Sequence, residues 1–524
     1  MISRRALAAT LAAATFLLSA AIMNGPADRS HLIPDDASTR FVAATLASGH
    51  LIAKAPHEVG AFRPPLVVTR EGRWFGKEYP VLPLLMAPGV RFRVEWVVNP
   101  LLAGLLVWGT FLLGRKLYDE TVGLVGASLV ALSPGLLSLS STFLNSLLSA
   151  VLLLFSAIAW LEAARRRSLP WGVLGGFVFG AAFATRPYSA ALMLVPLAFI
   201  PLSAWRANRR SAMRVVFGLL LGGAPWALGM ILWNLLLSGD PWKTPYQVYA
   251  SFNRLGFQSE AAVQYGPATA LADTWQQVLA FADALLPMPW LGRLALVLAP
   301  LGALWALRAR GIALALAGLV LVAGHMLFFG VRSGSWALTG ARYYFEATPA
   351  AALLVAFPLI RLCRWRKGIA LGLSVSFAAM FLAAALVSVP AAVAQAKSYH
   401  SDPFAGSNRR LERWVRQLDA QERRMLFVDV STYNWGSAVL VNPPDFAAPN
   451  LVAVYRTPPQ NRAVLEEFPG RAAYLVRWST ATGAFEMQPY VPEDDTTGPP
   501  DRFPYTDMKR RGLLNPAGKP PKEG

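Results

Sequence analysis

VEWVVNPLLAGLLVWGTFLLGRK, residues 94–116, decides the fold class. From Trp96 to Gly114 no residue is charged, and the run stops at Arg115 and Lys116. About 20 apolar residues rising 1.5 Å each cover the ~30 Å of bilayer hydrocarbon. A helix on the surface of a soluble protein would show a polar stripe along one face, and this run has none. Working outward, further apolar runs appear between Pro/Gly breaks and charged residues, near 6–23, 121–139, 142–163, 170–184, 188–205, 214–237, 290–307, 311–330, 346–361 and 369–394. With 55% hydrophobic and 15% charged residues in 524, the chain reads as an integral membrane protein of eleven spans.

The cations give the orientation, because loops rich in Lys and Arg stay cytoplasmic. One side receives Arg4 and Arg5, Arg115 and Lys116, Arg165–Arg167, Arg206 to Arg214, Arg308 and Arg310, and Arg361 to Lys367. The short loops of the other side hold only Arg186, Lys243, Arg254, Arg332 and Arg342, with Arg293 at the edge of a span. An odd number of spans then puts the N-terminus inside and the C-terminal region outside, in the cytoplasmic (inner) membrane. The net charge of +19 is thereby absorbed by topology, and nucleic acid is not an expected partner. Arg4-Arg5 before a short apolar run and the small residues Ala20 and Ala21 also fit a cleavable signal; we read the segment as a retained span. A single cysteine, Cys363, excludes an intramolecular disulfide.

Two regions do not cross. Residues 24–93 form a first outer loop of unusual size, and residues 395–490 have the patterning of a small α/β outer domain: an amphipathic helix over 407–420, then β-rich runs at 424–430, 450–456 and 472–478. Clustered Pro, Gly and charge predict a disordered tail over 491–524. No internal repeat is visible.

Phosphate loops, HExxH, CxxC and GxSxG are absent, and His31, His50, His57, His325 and His400 lack ligand spacing. Attention therefore falls on the large loop, since long loops on a rigid scaffold tend to carry function. It opens with Ile33-Pro34-Asp35-Asp36 ahead of an amphipathic helix from Ala37 to Leu51. The acids either cap that helix or place a carboxylate where a lipid head group arrives. Gly72-Arg73-Trp74-Phe75-Gly76-Lys77-Glu78-Tyr79-Pro80 follows, mixing cations and rings that suit a phosphate joined to a sugar or lipid, or that simply anchor at the interface. Leu82 to Leu85 reads as a membrane-dipping segment. His325 reads as a helix-packing residue, Asn145 as lying in or near span four with no assigned role, and Glu162 as a boundary residue.

Asp35-Asp36, GRWFGKEYPVLPLLMAPG (72–89) and VNPLLAGLL (98–106) resemble the GT-C membrane glycosyltransferases. The group they match is the bacterial proteins similar to protein O-mannosyltransferases and lipid A aminoarabinose transferase. LSPGLLSLSSTFLN (132–145), ATRPYSA (184–190), GDPWKTPYQVY (239–249) and GARYYFEATP (340–349) continue the match in order, as does the FVDV…NPPD…VAVYR…FPGRAAYLV run of the outer domain. The family shows Asp-Glu where this chain has Asp35-Asp36, and its tyrosine-bearing segment is here Ala37-Ser38-Thr39-Arg40-Phe41.

The resemblance implies a GT-C-like fold, a polyprenyl-phosphate-linked sugar donor in a cavity open to the outer leaflet, transfer to an envelope acceptor, and inversion at the anomeric carbon. An acceptor hydroxyl needs a base, for which Asp35 and Asp36 are the candidates; the departing lipid phosphate needs cations, for which Lys77, Arg186 and Arg342 are the candidates. Arg73, Trp74, Tyr79, Tyr343, Tyr344 and Glu346 are expected to line the cavity. No metal or other cofactor is expected to be required, although a divalent cation is compatible with the family. The rival from another class is a lipid or solute transporter without bond breaking; a third is a non-catalytic relative whose outer domain binds a ligand.

Overall fold

The computed structural model describes residues 3–29, 34–249, 254–260, 263–286, 289–305, 309–328, 340–365, 386–394, 396–397, 409–433 and 438–496. The chain enters through α1 (Arg4–Asn24), started by Ser3, whose hydroxyl accepts from the Ala6 amide. The long loop then folds as α2 (Pro34–Ala47), β1 (Ala53–Lys54), α3 (Val59–Phe62), β2 (Val67–Arg70), β3 (Arg73–Gly76) and α4 (Val81–Val90), with β3 between β1 and β2 in an antiparallel sheet. α2 begins earlier than the sequence pattern suggests, so Asp35 and Asp36 lie inside its first turn rather than ahead of it, and Gly49 falls beyond its end. The Leu82–Leu85 segment forms part of α4, with Leu82 buried and Leu84 and Leu85 half exposed.

The helical body comprises α5 (Val98–Leu117), α6 (Glu120–Ala131), α7 (Pro134–Ser140), α8 (Ser146–Arg166), α9 (Leu169–Thr185), α10 (Pro187–Leu197), α11 (Phe199–Ala207) and α12 (Arg209–Ser238). After α13 (Pro245–Tyr249) and a β4–β5 hairpin (Gln258–Glu260, Val263–Tyr265) come α14 (Pro267–Leu285), α15 (Pro289–Trp305), α16 (Ala309–His325) and α17 (Thr348–Trp365). Among the described residues six helices are long and apolar enough to span a membrane, or seven if the pair α6–α7, bent by 60°, is one broken span. Pro134 explains the bend: it cannot donate to the preceding turn, and Ser133 caps the new helix by accepting from Leu136. The runs expected at 170–184, 290–307 and 311–330 form shorter apolar helices, while most of the run at 369–394 lies outside the described residues, of which 386–394 are helical. α14 was not expected; its polar residues Asp273, Gln276 and Gln277 interrupt the hydropathy that marks a span. α9 and α12 approach closely because Gly172 faces Gly218, where a Cβ would strike backbone.

The C-terminal residues form a four-stranded sheet, β7-β6-β8-β9, from β6 (Arg424–Val428), β7 (Asn450–Val454), β8 (Ala472–Ser479) and β9 (Ala484–Pro489). The first three are parallel and β9 is antiparallel. β6 and β7 are buried along their whole length, as strands covered on both faces must be. On one face Leu426, Val428 and Val452 meet Leu411 and Val415 of the 410–417 helix. On the other, Met425, Phe427 and Leu451 share a core with Phe41 of α2, Phe62 and Trp74. The sheet thus forms one body with the first loop. Order continues past the expected start of the tail: Asp495 accepts from both Tyr455 and Tyr490. Residues 497–524 lie outside the described set.

Candidate active site

The first turn of α2, the end of β3 and the segments before α8, α10 and α17 converge at one end of the helical body, the face that carries the long loop. Asp35 is held by two cations, Lys77 Nζ at 3.0 Å and Arg342 Nη1 at 3.7 Å. All three side chains are 16–17% exposed, so water screens these pairs only in part. Burial alone would raise the Asp35 pKa, yet Lys77 and Arg342 override it and hold the carboxyl below its ordinary value. Against the same burial, Asp35 and Glu78 hold Lys77 above its own.

Asp36 plays a different part. It is fully buried and accepts from the Phe143 amide at 3.1 Å, tying the head of α2 to the turn before α8. That turn is fixed from below by Asn99, whose amide donates to the carbonyls of Thr142 (2.6 Å) and Leu144 (3.2 Å). The VNP at the head of α5 and the STFLN before α8 are therefore two halves of one support. Asp36 positions; Asp35 faces the cations.

Arg186 sits at the α9–α10 break. It donates to Glu346 Oε1 (2.8 Å), to the Arg342 carbonyl (2.9 Å) and to Ser146 (3.1 Å). Tyr343 lies between the two guanidinium groups, with Arg186 5.5 Å and Arg342 5.1 Å from its ring centre. The structure thus brings Asp35, Lys77, Arg186, Arg342, Tyr343 and Glu346 together. Glu346 and Pro349 also line an apolar cavity of about 310 Å³ that runs among α5, α8, α10, α11, α16 and α17 as far as Leu161 and Ser203.

Four expected lining residues are elsewhere. Arg73 reaches out to the Leu236 carbonyl at the end of α12. Trp74 is buried in the core shared with the C-terminal sheet, near Phe41 and Phe446, with its indole donating to Thr69. Alternation along β3 explains the divergence, since neighbours in a strand face opposite ways. Tyr79 donates to Asn234 and secures the loop after α12, and Tyr344 packs between Phe281 and His325. His325 bonds back to Leu321 of its own helix, and Glu162 pairs with Lys116, Arg165 and Arg166 at the opposite end of the body.

Two site residues, Glu78 and Tyr246, were not singled out in the sequence, and a third, Asn145, was given no role there. Glu78 accepts from Asn145 at 2.8 Å, which gives Asn145 a place in the site as well. Lys77-Glu78 follows the last residue of β3, so strand alternation no longer separates the two side chains. Tyr246 of α13 is half-buried near Glu78, Arg186 and Asp35, its hydroxyl pushed well above its usual pKa by desolvation. The signal for both was position inside the quoted motifs GKEYP and TPYQVY. Among the described residues no group of three or more His, Cys, Asp or Glu could hold a metal ion, and the carboxylates facing the site are already engaged by cations or amides.

Residues 88–233 match the family described as dolichyl-phosphate-mannose-protein mannosyltransferase. Among solved structures, ArnT of Cupriavidus metallidurans bound to undecaprenyl phosphate is similar with a TM-score of 0.52 at 11% identity, over 89% of this chain and 93% of that one. Its apo state gives 0.53 at 12% identity, over 89% and 92%. The oligosaccharyltransferase AglB of Archaeoglobus fulgidus, in complex with an inhibitory peptide and a dolichol-phosphate, gives 0.50 at 12% identity, over 94% and 75%. No curated protein sequence matches the chain. Fold and family match agree on the class, a multi-pass membrane glycosyltransferase of GT-C architecture. Within that class, the mannosyltransferase family is the one its sequence resembles, over 88–233.

Proposed function

We propose that the chain moves a sugar from a polyprenyl-phosphate-linked donor to a hydroxyl of an envelope lipid, glycan or protein, with inversion. The observation that carries this is the Lys77–Asp35–Arg342 arrangement: a carboxylate shared by two cations, beside a third cation, Arg186, whose partner Glu346 lines an apolar cavity. In the proposed reaction the acceptor oxygen bonds to the anomeric carbon while its proton passes to Asp35. The bond from that carbon to the phosphate oxygen breaks, and the electron pair leaves with the lipid phosphate, whose added charge falls to Lys77 and Arg342. Bound phosphate also draws both cations away from Asp35, so the base strengthens as the donor arrives. The cavity, lined almost wholly by Leu, Ala, Ile, Met, Phe and Pro, suits a prenyl tail better than a polar cargo, and this favours a lipid-linked ligand over a polar solute.

The same reading takes the eleven-span topology, with the loop face outside the cytoplasmic membrane, the N-terminus inside and the C-terminal sheet outside. Comparing envelope glycans, lipids and glycoproteins by mass in cells with and without the gene tests the function. Loss of one sugar from one acceptor is expected and would identify both; an unchanged envelope would refute it.

A further inference from the structure

The turn that leads into α5 carries an exposed ring between two cations. α4 leaves Leu84 and Leu85 half exposed, and the chain then runs Arg91-Phe92-Arg93-Val94, all four exposed and Phe92 at 73%. A span begins directly afterwards, at Glu95, so this turn lies where the loop face meets the lipid head groups. A ring at that depth enters the apolar edge of the bilayer while guanidinium groups stay among the phosphates. The 410–417 helix of the C-terminal sheet comes down to the same level. α1 ends at Asn24, and four residues later Asp28 pairs with Arg413 at 3.0 Å. Next to Asp28, Arg29 lies 4.8 Å from the ring centre of Trp96, at the head of the α5 span.

Cations crowd this seam. Burial lowers the Arg416 pKa most and Glu412 opposes it, but Arg93, Arg409 and Arg40 all stand near enough to lower it further. The neighbouring acids are already paired: Glu95 with Arg40, Glu412 with Arg409 and Arg416, and Asp28 with Arg413. Arg91 and Arg93 make no ion pair with any described residue. Like charges held together favour an anion between them, and guanidinium groups match phosphate oxygens in geometry. We propose that the seam between the 91–94 turn and the 410–417 helix binds the head group of an anionic phospholipid, its phosphate held by Arg91, Arg93 and Arg416. The occupant is a lipid rather than a free phosphate because Phe92, Leu84 and Leu85 offer acyl chains an apolar surface beside the cations. The inference rests on the membrane placement of α1 and α5 and not on sugar transfer. A head group held there ties the C-terminal sheet to the bilayer.

The probe is phosphatidylglycerol with a photoreactive group beside its head group, carried as a trace in phosphatidylcholine nanodiscs that hold the purified full chain. Labelled peptides are identified by mass. Label should fall on 84–97 and 409–417, and unlabelled phosphatidylglycerol should compete it away where added phosphatidylcholine or inorganic phosphate does not. Each arginine near an anionic head group contributes about fivefold in affinity, and occupancy by a trace ligand is proportional to affinity. Arg93→Asn with Arg416→Gln should therefore lower labelling of these peptides about 30-fold. Asn accepts the left-handed backbone that Arg93 adopts at φ 57°. Arg91→Gln alone, expected to lower labelling about fivefold, carries the test if the double variant does not fold. Labelling that misses both peptides, that persists unchanged in the variants, or that phosphatidylcholine competes equally would overturn the inference. Competition by inorganic phosphate would show a site for phosphate alone and overturn the lipid as its occupant.

Discussion

Asp35→Asn changes one charge and almost no volume, so its effects separate chemistry from architecture. If Asp35 takes the acceptor's proton, its loss should lower turnover by about 10²- to 10⁴-fold, which is about 3–5 kcal/mol in barrier. The structure adds a second effect of opposite sign. Asp35 occupies Lys77 at 3.0 Å and Arg342 at 3.7 Å, the cations a phosphate would need. Releasing them should return about 1.5–3 kcal/mol to the incoming anion, the range for a hydrogen bond to a charged group, so lipid phosphate should bind at least about tenfold more tightly. A helix-end role predicts neither change: Asp35 lies inside the first turn of α2, where its interaction with the helix dipole is worth about 0.3–1 kcal/mol in stability. The assay is single turnover with a radiolabelled polyprenyl-phosphate sugar, together with equilibrium binding of undecaprenyl phosphate. Turnover within about threefold of wild type, or weaker binding, would refute the reasoning. The pH profile gives an independent check. In the free protein Lys77 and Arg342 hold Asp35 ionised below the usual carboxylate range, so kcat/KM, which reports the free enzyme, should differ between variant and wild type by a constant factor down to about pH 5.

Arg186→Ala should lower the thermal midpoint by the equivalent of about 3–5 kcal/mol, because Glu346, whose side chain is 0% exposed, loses its counterion; adding Glu346→Gln should restore most of it. Asn99→Ala should cost about 1–3 kcal/mol and reduce turnover as well, since the turn that meets Asp36 loses both of its bonds to Asn99; normal turnover would break that link. Trp74→Ala should destabilise by about 3–5 kcal/mol while leaving lipid-phosphate affinity within about threefold, because the ring fills the loop core and not the site. A reporter active only outside the cytoplasm should work when inserted after Ala420 and stay silent in the 206–214 loop; the reverse pattern would invert the topology.

Hydropathy made the helical body legible because the bilayer imposes a length on apolar runs, and α1, α5, α8 and α12 fall where those runs are. α14 escaped for the same reason: an amphipathic helix with Asp273 and Gln277 violates the pattern that betrays a span. At the site, Lys77, Arg186 and Arg342 were recognisable as cations on one side of the membrane, a property of composition and order. What each side chain touches was not. Arg73 and Trp74 share a motif with Lys77, yet one reaches α12 and the other meets a strand bundle more than 300 residues away. Glu78 carries no signal of its own beside Lys77, and only the approach of Asn145 from the turn before α8 places it at the site. Such contacts depend on which distant segments meet, and no local spacing records that.

The core shared by α2, Trp74 and the C-terminal sheet imposes an order on biogenesis. The first outer loop is made early, but the wall it leans on comes much later: the His57 amide bonds to Glu467, 410 residues on, and Phe41 and Phe62 face Phe427 and Leu451. Until β8 and Tyr490 have been synthesised and delivered to the same face, this apolar surface has nothing to cover it and α2 lacks the backing that aims Asp35 at Lys77. A chain stalled or truncated before residue 490 would carry every helix α1–α17 and every site residue and still lack a formed site. Synthesis through Tyr490 thus serves as a late step in assembling the proposed site, and copies terminated before it would be expected to be inert.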